Sequence, residues 1–312
     1  KNVSIGAAGC AGLALATSHT AGAASSINLR AICGTGMGPD FMVIGAQRSG
    51  TTWLHRVLSQ HPDLWLTPVK ELHYFDKREI RFGVLDAAER RRARFWDAKR
   101  LLRNPRWYGR YWFLPRNDAW YGRLFRAARA QGRRVGEITP AYAALGAEEW
   151  THIHSLVPQL QSVFVMRDPV IRTWSALRNS MRKGHLDKAE PVQELLVQAR
   201  KPSAAARSNY LRTIEIVEQR FGADHLHCCF FEQLSSEPAA LAEGLFSFLG
   251  VPPIGATLNL PPAINVAAGG DQPPLAFQRA LAQDYLPMVE RLADRFGPIP
   301  AAWAQRYRDL LS

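Results

Sequence analysis

The chain has 312 residues, of which 47% are hydrophobic and 21% are charged. This composition excludes disorder as the interpretation of most of the chain and supports a large buried core. No apolar run reaches the roughly 20 residues that a transmembrane helix needs, and none of the cysteines stands in a CxxC or zinc-site spacing.

The formal net charge of +12 is concentrated in one part of the chain. Residues 77–134 contain 18 Lys and Arg but only 5 Asp and Glu, so the remainder is close to neutral. We therefore expect one basic segment that attracts an acidic partner rather than a uniformly basic surface. Residues 1–38 are rich in Ala, Gly, Ser and Thr, lack periodicity and are predicted to form a flexible leader.

Apolar runs that alternate with helical patterns predict an α/β fold. Helices are expected at 52–59, 118–130 with Asp118 as N-cap, 146–156, from 169 onward, 207–221, 238–249, 275–295 and 300–311. Short continuous apolar runs predict strands at 41–45, 64–66, 135–139, 162–166 and 226–231. This order implies a central parallel sheet of the P-loop type, flanked by helices.

Two segments interrupt this pattern within a domain that spans 39–312. The basic segment 77–134 is predicted to be an inserted helical subdomain, and the Pro- and Gly-rich stretch 252–274 a long loop. Cys10, Cys33, Cys228 and Cys229 are predicted to be reduced packing residues. The last two are adjacent, so they should point to opposite faces of a strand.

The loop between the first strand and the first helix is the strongest functional feature. It reads Gly-Ala-Gln-Arg-Ser-Gly-Thr-Thr over residues 45–52, and its glycines and the helix N-terminus suit a bound anion. Its G-x-x-x-x-G spacing equals that of the nucleotide-binding P-loop. However, Thr51 stands where a triphosphatase has Lys, and the cation is Arg48 inside the loop, so a magnesium-dependent kinase is the weaker alternative. The predicted anion-binding residues are Gln47, Arg48, Ser49, Gly50, Thr51 and Thr52.

Residues 45–54 resemble the 5′-phosphosulfate loop of sulfotransferases that use 3′-phosphoadenosine 5′-phosphosulfate (PAPS). That family commonly has Lys where this chain has Arg48; an arginine suits charge stabilisation of the leaving phosphate better than proton donation. The resemblance implies PAPS as donor, 3′-phosphoadenosine 5′-phosphate (PAP) as product, and no metal. A bacterial relative of the heparan sulfate sulfotransferases is the expected type.

Residues 163–175 look like the family's 3′-phosphate segment. There an Arg at the strand end and a Ser eight residues later hold the phosphate, and Arg167 and Ser175 match that spacing. Weaker candidates come from looser matches. They are Trp53, which either stacks on adenine or packs in the core, Arg207 and Tyr210 near the nucleotide, and Gly269 with Gly270 in a covering loop.

Two further segments are similar to family motifs. Residues 70–76 resemble a Lys-Glu-x-His-Phe-Phe-Asp segment in which the Glu is the proposed general base; this implies Glu71 as base and Lys70 as an acceptor contact, with His73 an alternative base. Residues 137–142 resemble Glu-Lys-Ser/Thr-Pro-x-Tyr, with Ile138 replacing the Lys. Thr139 and Tyr142 are accordingly expected to line the acceptor cleft.

The basic segment interleaves Arg with aromatic residues, a combination that suits sugar rings bearing acidic groups but also an Arg-rich helical face whose aromatic residues pack in the core. On the first interpretation we expect transfer to a hydroxyl of a carbohydrate or glycolipid, with an anionic glycan among the expected acceptors. The alternative outside the enzymes is a non-catalytic, basic glycan-binding protein. No nucleic-acid-binding motif is present, and the expected location is the cytoplasm, or the Golgi lumen in a eukaryote.

Overall fold

The fold is known from a computed structural model that describes residues 37–76, 102–187, 189–262 and 272–312. These residues belong to one compact unit, 33–312. Most of the predicted leader lies outside the described residues, as do Cys10, Cys33, the first half of the basic segment, and Gly269 with Gly270.

A five-stranded parallel sheet forms the centre of the fold, in the order β2-β3-β1-β4-β5. The prediction of a parallel α/β sheet is confirmed, and each predicted strand is found to within one residue at its ends. The strands are β1 (Phe41–Gly45), β2 (Leu64–Leu66), β3 (Arg134–Ile138), β4 (Gln161–Met166) and β5 (Leu226–Phe230).

The described part of the chain forms twelve α-helices, eight of which lie where their apolar stripes predicted them. They are α1 (Thr51–Leu58), α2 (Pro105–Phe113), α3 (Asp118–Arg129), α4 (Ala147–Leu156), α5 (Pro169–Arg182), α6 (Val192–Arg200), α7 (Pro202–Ala205), α8 (Tyr210–Phe221), α9 (Gln233–Ser236), α10 (Pro238–Phe248), α11 (Leu275–Phe296) and α12 (Pro298–Leu311). The sequence analysis did not predict α2, α6, α7 or α9. It also misplaced one cap: the side chain of Asn117, not Asp118, accepts from the backbone N–H of Trp120 and so begins α3.

Two hydrophobic clusters cover the two faces of the sheet. Met42 and Ile44 of β1 belong to the larger cluster, while Phe41 and Val43 belong to the smaller one. Since successive side chains of a strand point to opposite faces, a strand covered by helices on both sides must be apolar throughout. This explains the uninterrupted apolar run of β1, which lies at the centre of the sheet and ends at the anion loop.

Cys228 and Cys229 are free thiols on β5. Cys229 belongs to the smaller cluster and Cys228 packs against the larger one, so they point to opposite faces as predicted. Burial raises the pKa of the Cys228 thiol to about 12, which keeps it protonated and unreactive.

The described aromatic residues of the basic segment are in the core rather than on the surface, with the exception of Phe113. Trp107 and Tyr111 stack with ring centroids 5.2 Å apart, and Trp120 is only 1% exposed. The expectation that these rings offer flat faces to sugars is wrong for the described half of the segment. Alternation of Arg with aromatics reflects two amphipathic helices, α2 and α3, whose aromatic faces pack inward.

None of the described helices is both long enough and apolar enough to cross a membrane.

Candidate active site

The anion loop connects β1 to α1 and presents a helix N-terminus with no side-chain cap. Gly50 is the N-cap residue and has φ +88°. The buried Oγ of Ser49 has no hydrogen-bond partner among the described residues. An uncapped helix start and an orphaned hydroxyl in one loop fit a bound oxyanion, which would accept from both.

Gly50→Ala is expected to destabilise the protein by about 1–3 kcal/mol and to weaken nucleotide binding. The new Cβ would lie 2.4 Å from Leu234 Cδ2, in a left-handed backbone conformation that disfavours alanine. Urea unfolding and calorimetric titration with PAP measure the two effects. Gly244→Ala is the matched control, because a Cβ at that glycine meets nothing within 4 Å; equal stability of the two variants would contradict the prediction.

The structure brings the predicted 5′- and 3′-phosphate residues together. Arg48 Nε donates to Ser175 Oγ on α5 at 3.1 Å, although 127 positions separate these residues. Arg167 Nη1 donates to the backbone O of Arg48 at 3.1 Å. Tyr210 is buried and donates to the backbone O of Arg167 at 2.7 Å, so it positions the strand end rather than facing a nucleotide.

The electrostatics of this region favour an anion. Burial is the main cause that lowers the pKa of Arg48, and the charges of Arg182 and Arg178 lower it further. Burial also lowers the pKa of Arg167, partly opposed by Glu232. Cations gathered at a parallel sheet's carboxyl end repel each other, and a multiply charged anion relieves that repulsion.

Residues 70–76 form a second loop beside the first, which we call the base loop. Lys70 Nζ donates to Thr52 Oγ1 at 3.0 Å and lies 3.8 Å from Glu71 Oε1, so it joins the two loops. His73 lies between two carboxylates: Nε2 is 3.4 Å from Glu71 Oε2, and Nδ1 is 2.7 Å from Asp76 Oδ2. Hydrogen bonding to His73 is the main cause that lowers the pKa of Glu71, with burial opposing it.

The three residues predicted to be catalytic share an unusual backbone conformation. Among the described residues, positive φ at non-glycine positions is confined to Arg48 (71°), Glu71 (65°) and His73 (52°). Such conformations cost about 1–3 kcal/mol each and persist where the surrounding structure enforces them. Their coincidence with the predicted catalytic residues supports a shared functional centre.

Hydrogen bonds from buried residues hold the base loop in place. Thr139 Oγ1 accepts from the backbone N–H of Leu72 at 3.1 Å, and Tyr142 Oη accepts from the N–H of Tyr74 at 3.0 Å. Arg116 Nη2 donates to the Leu72 carbonyl at 2.6 Å. Thr139 and Tyr142 are fully buried, so the expectation that they line the acceptor cleft is replaced by a supporting role beneath the loop.

Glu137 is fully buried and accepts hydrogen bonds from the residues beneath the base loop. Its carboxyl accepts from Thr139 Oγ1 at 2.8 Å and from the hydroxyl of Tyr121. Burial raises its pKa to about 7, against the lowering effect of these hydrogen bonds. A carboxyl with a raised pKa binds a proton more readily in the folded state, so its contribution to stability decreases as pH rises from 4.5 to 7.

The free energy of unfolding of Glu137→Gln, relative to that of wild type, is therefore expected to increase progressively as pH rises from 5 to 8. The neutral amide avoids the cost of charging a buried carboxylate above pH 7. Urea unfolding of both proteins at pH 5 and pH 8 measures the effect. A difference in unfolding free energy that is independent of pH would contradict the assignment.

Trp53 packs in the core instead of presenting a face to adenine. Its ring is 1% exposed, belongs to the smaller hydrophobic cluster, and donates through Nε1 to the carbonyl of Pro261 at 2.7 Å. Of its two predicted roles, the described structure therefore supports packing. Residues 252–262 contain one short 3-10 turn, Gly255–Thr257. Close to this turn, the backbone of Asn259 exchanges two hydrogen bonds with the side chain of Gln60, which follows α1.

Sequence reasoning missed three functional candidates. Asp76 was read only as part of a motif, although its spacing of three from His73 is the signal of a carboxylate that orients an imidazole. Glu137 likewise received no role. Arg172 was not selected at all, because a single arginine within a helix carries no local signal.

Comparisons with known proteins identify the family and agree with the fold. The sequence profile of a sulfotransferase family matches residues 39–254. A sulfotransferase from Alicyclobacillus acidocaldarius has a similar structure, with a TM-score of 0.60 and 24% identity over 85% of this chain and 98% of that chain. A search of curated protein sequences finds no match.

More distant structural similarity extends to two other sulfotransferases. The sulfotransferase domain of the Synechococcus PCC 7002 olefin synthase has a TM-score of 0.43 and 22% identity over 69% of this chain and 74% of that one. Mouse SULT7A1, solved with PAP, has a TM-score of 0.39 and 15% identity over 69% of this chain and 59% of that one.

The fold and the two loops thus define a transferase with a P-loop-like anion site. The chain belongs to the sulfotransferase family and is an enzyme that transfers sulfur-containing groups. Membership implies PAPS as the donor.

Proposed function

We propose that this protein transfers the sulfuryl group of PAPS to a hydroxyl of an acceptor bound beside the base loop. The observation that carries the proposal is the hydrogen bond between Arg48 and Ser175, which unites the predicted 5′- and 3′-phosphate residues in one site. A nucleotide that carries phosphate at both positions fits this pair better than a nucleoside triphosphate. The kinase alternative is therefore not favoured.

The donor would be held by residues of three elements. The anion loop and the uncapped start of α1 suit the 5′-phosphosulfate, while Arg167 and Ser175 suit the 3′-phosphate. When bound, PAPS supplies an activated sulfuryl group on a good leaving group. Arg48 and Lys70 then stabilise negative charge that develops on the leaving and equatorial oxygens during in-line displacement.

Glu71 acts on the acceptor. Its lowered pKa keeps the carboxylate ionised at neutral pH, and its Oε atoms lie between Lys70 and His73. It removes the proton from the attacking hydroxyl as the oxygen–sulfur bond forms. Asp76 holds the imidazole of His73, which in turn orients Glu71. His73 as the base itself is the alternative, and the two are separated by the pH dependence described in the Discussion.

The acceptor class is a finer part of the proposal. We extend it to a carbohydrate or glycolipid hydroxyl because residues 70–76 resemble the base segment of heparan sulfate sulfotransferases. The aromatic residues that first suggested a glycan no longer support it, since all of those described except Phe113 are buried. A cytoplasmic location belongs to the proposal as well, because bacteria hold the donor there.

Independence from metal ions is also proposed. Arginine and lysine side chains supply the positive charge that a divalent cation provides in phosphoryl transfer. No group of three or more potential ligands that could hold a metal ion occurs among the described residues.

The test is transfer of radiolabelled sulfate from PAPS to a mixed set of neutral and acidic oligosaccharides, with and without a chelator. We expect PAP to bind wild type in the micromolar range and labelled product to form equally in both conditions. Folded wild-type protein that does not bind PAP would contradict the donor assignment. Loss of product on chelation, restored by magnesium, would contradict the metal-independent mechanism.

A further inference from the structure

A pocket adjoins the active site on the side of α5 that faces α6 and α7. Its volume is about 260 Å³. Three arginines line it, Arg48, Arg172 and Arg207, together with amide and hydroxyl side chains such as Gln47, Asn179 and Ser180. None of the described residues that line it is acidic.

Arg172 is the unusual member of this lining. It is only 1% exposed, yet no carboxylate among the described residues lies within ion-pair distance of it. Nε donates to Ser208 Oγ at 2.7 Å and Nη2 to Thr173 Oγ1 at 2.9 Å, but the buried Nη1 has no partner among the described residues. Burying a guanidinium without a counter-charge costs free energy unless a ligand balances the charge and accepts the remaining hydrogen bond.

Arg207 faces the same space. Its pKa is lowered mainly by burial and then by the charge of Arg172, while Asp76 of the base loop opposes that effect. These couplings place Arg207 within electrostatic range of both Arg172 and the base loop. Its Nε is also buried without a partner in the described part of the chain. Two arginines that line one cavity therefore each carry a buried donor without a partner in the described part of the chain.

The pocket shares Gln47 and Arg48 with the predicted donor site but does not coincide with it. Arg167 and Ser175, which suit the 3′-phosphate, are absent from its described lining, whereas Arg48 is present and bonds to Ser175. Arg48 therefore stands at the boundary between donor and pocket. A group in the pocket would lie beside Arg48 and therefore next to the predicted donor.

We propose that this pocket binds an anionic group, a carboxylate or a sulfate ester, on the sugar acceptor, with Arg172 and Arg207 as its ligands. This inference rests on the proposed function and specifies its acceptor class. Paired arginines bind such groups through charge-assisted hydrogen bonds, and the neighbouring amides suit sugar hydroxyls. The acidic group then fixes which hydroxyl reaches Glu71.

The experiment is calorimetry on protein saturated with PAP. Methyl β-D-glucuronide, glucose 6-sulfate and the neutral methyl β-D-glucoside are titrated separately, so that the two acidic sugars distinguish carboxylate from sulfate ester. We expect one or both acidic sugars to bind at least about tenfold more tightly than the neutral one. Arg207→Gln should remove that preference. Arg220 is exposed on α8, so Arg220→Gln removes the same charge elsewhere and serves as the matched control. This variant should retain the preference for acidic sugars.

Equal affinity for acidic and neutral sugars in wild type would overturn the inference, as would an unchanged preference in Arg207→Gln. Arg172→Gln is tested with Arg172→Lys, because the lysine preserves the buried charge if the neutral variant fails to fold. PAP is titrated first. If PAP does not bind, the donor assignment fails, and the sugar titrations on nucleotide-free protein still decide the pocket's role.

Discussion

Glu71→Gln is expected to lower kcat by about 10²–10⁴-fold and to leave PAP affinity unchanged. The amide cannot accept the proton of the attacking hydroxyl, yet it preserves the size of the side chain. The carboxylate lies in the base loop, where Lys70 and His73 are its neighbours. The substitution therefore does not alter donor residues such as Arg167. Steady-state sulfate transfer and PAP calorimetry measure the two quantities.

Glu148→Gln, at an exposed position in the first turn of α4, is the matched control and should not change kcat. Full activity in Glu71→Gln would exclude Glu71 as the base. A parallel loss of PAP affinity would instead indicate that the substitution disturbs the donor site.

The pH dependence of kcat/KM separates Glu71 from His73. Because the pKa of Glu71 is lowered from 4.5, a Glu71 base remains deprotonated down to pH values below 4.5, and kcat/KM should not decline as pH falls from 8 to about 5.5. A histidine base would instead lose activity as falling pH protonates the imidazole. An acidic limb near neutrality would therefore shift the assignment to His73, oriented by Asp76.

Arg167→Ala is expected to weaken PAP binding by about 10–100-fold, with a much smaller effect on 5′-AMP. The guanidinium is 7% exposed, lies 4.1 Å above the ring of Phe231, and is held against the anion loop by its bond to the Arg48 carbonyl. A charged donor buried at this point matters most to a ligand that brings a 3′-phosphate. Calorimetric titration of both nucleotides against both proteins measures the difference.

The comparison of the two nucleotides guards against a purely structural effect. If Arg167 only supports the loop, PAP and 5′-AMP affinities should fall together, and the 3′-phosphate assignment would be wrong. Arg220→Gln again serves as a charge-matched surface control. Thermal unfolding of Arg167→Ala establishes that the variant is folded under the conditions of the titration.

Much of the fold was predictable because its signals are local. An apolar strand such as β1, a Gly-rich turn and an amphipathic helix occupy consecutive residues, and helices on both faces of a sheet require strands that are apolar throughout. The same locality explains why Arg167 and Ser175 were identified: their spacing of eight lies within one strand end and the helix that follows.

Errors arose where a pattern permits two environments. The pattern of the aromatic residues of α2 and α3 is compatible with a binding surface and with a core, and only packing decides between them. Packing also decided between the two predicted roles of Trp53. Thr139 and Tyr142 were placed in the correct region but assigned to the wrong side of it. Their hydroxyls point beneath the base loop, which no sequence spacing reveals.

By itself, the sequence determined the parallel α/β class and the position of the Gly-rich loop, and it supplied the candidates for phosphate binding and proton removal, because each depends on neighbouring residues. The tertiary structure decided which distant residues meet. Arg48 reaches Ser175, Asp76 faces His73, and Arg172 and Arg207 share a pocket that no motif contains. These contacts depend on how the ends of parallel strands and the helices around them converge, which is a property of packing rather than of local sequence.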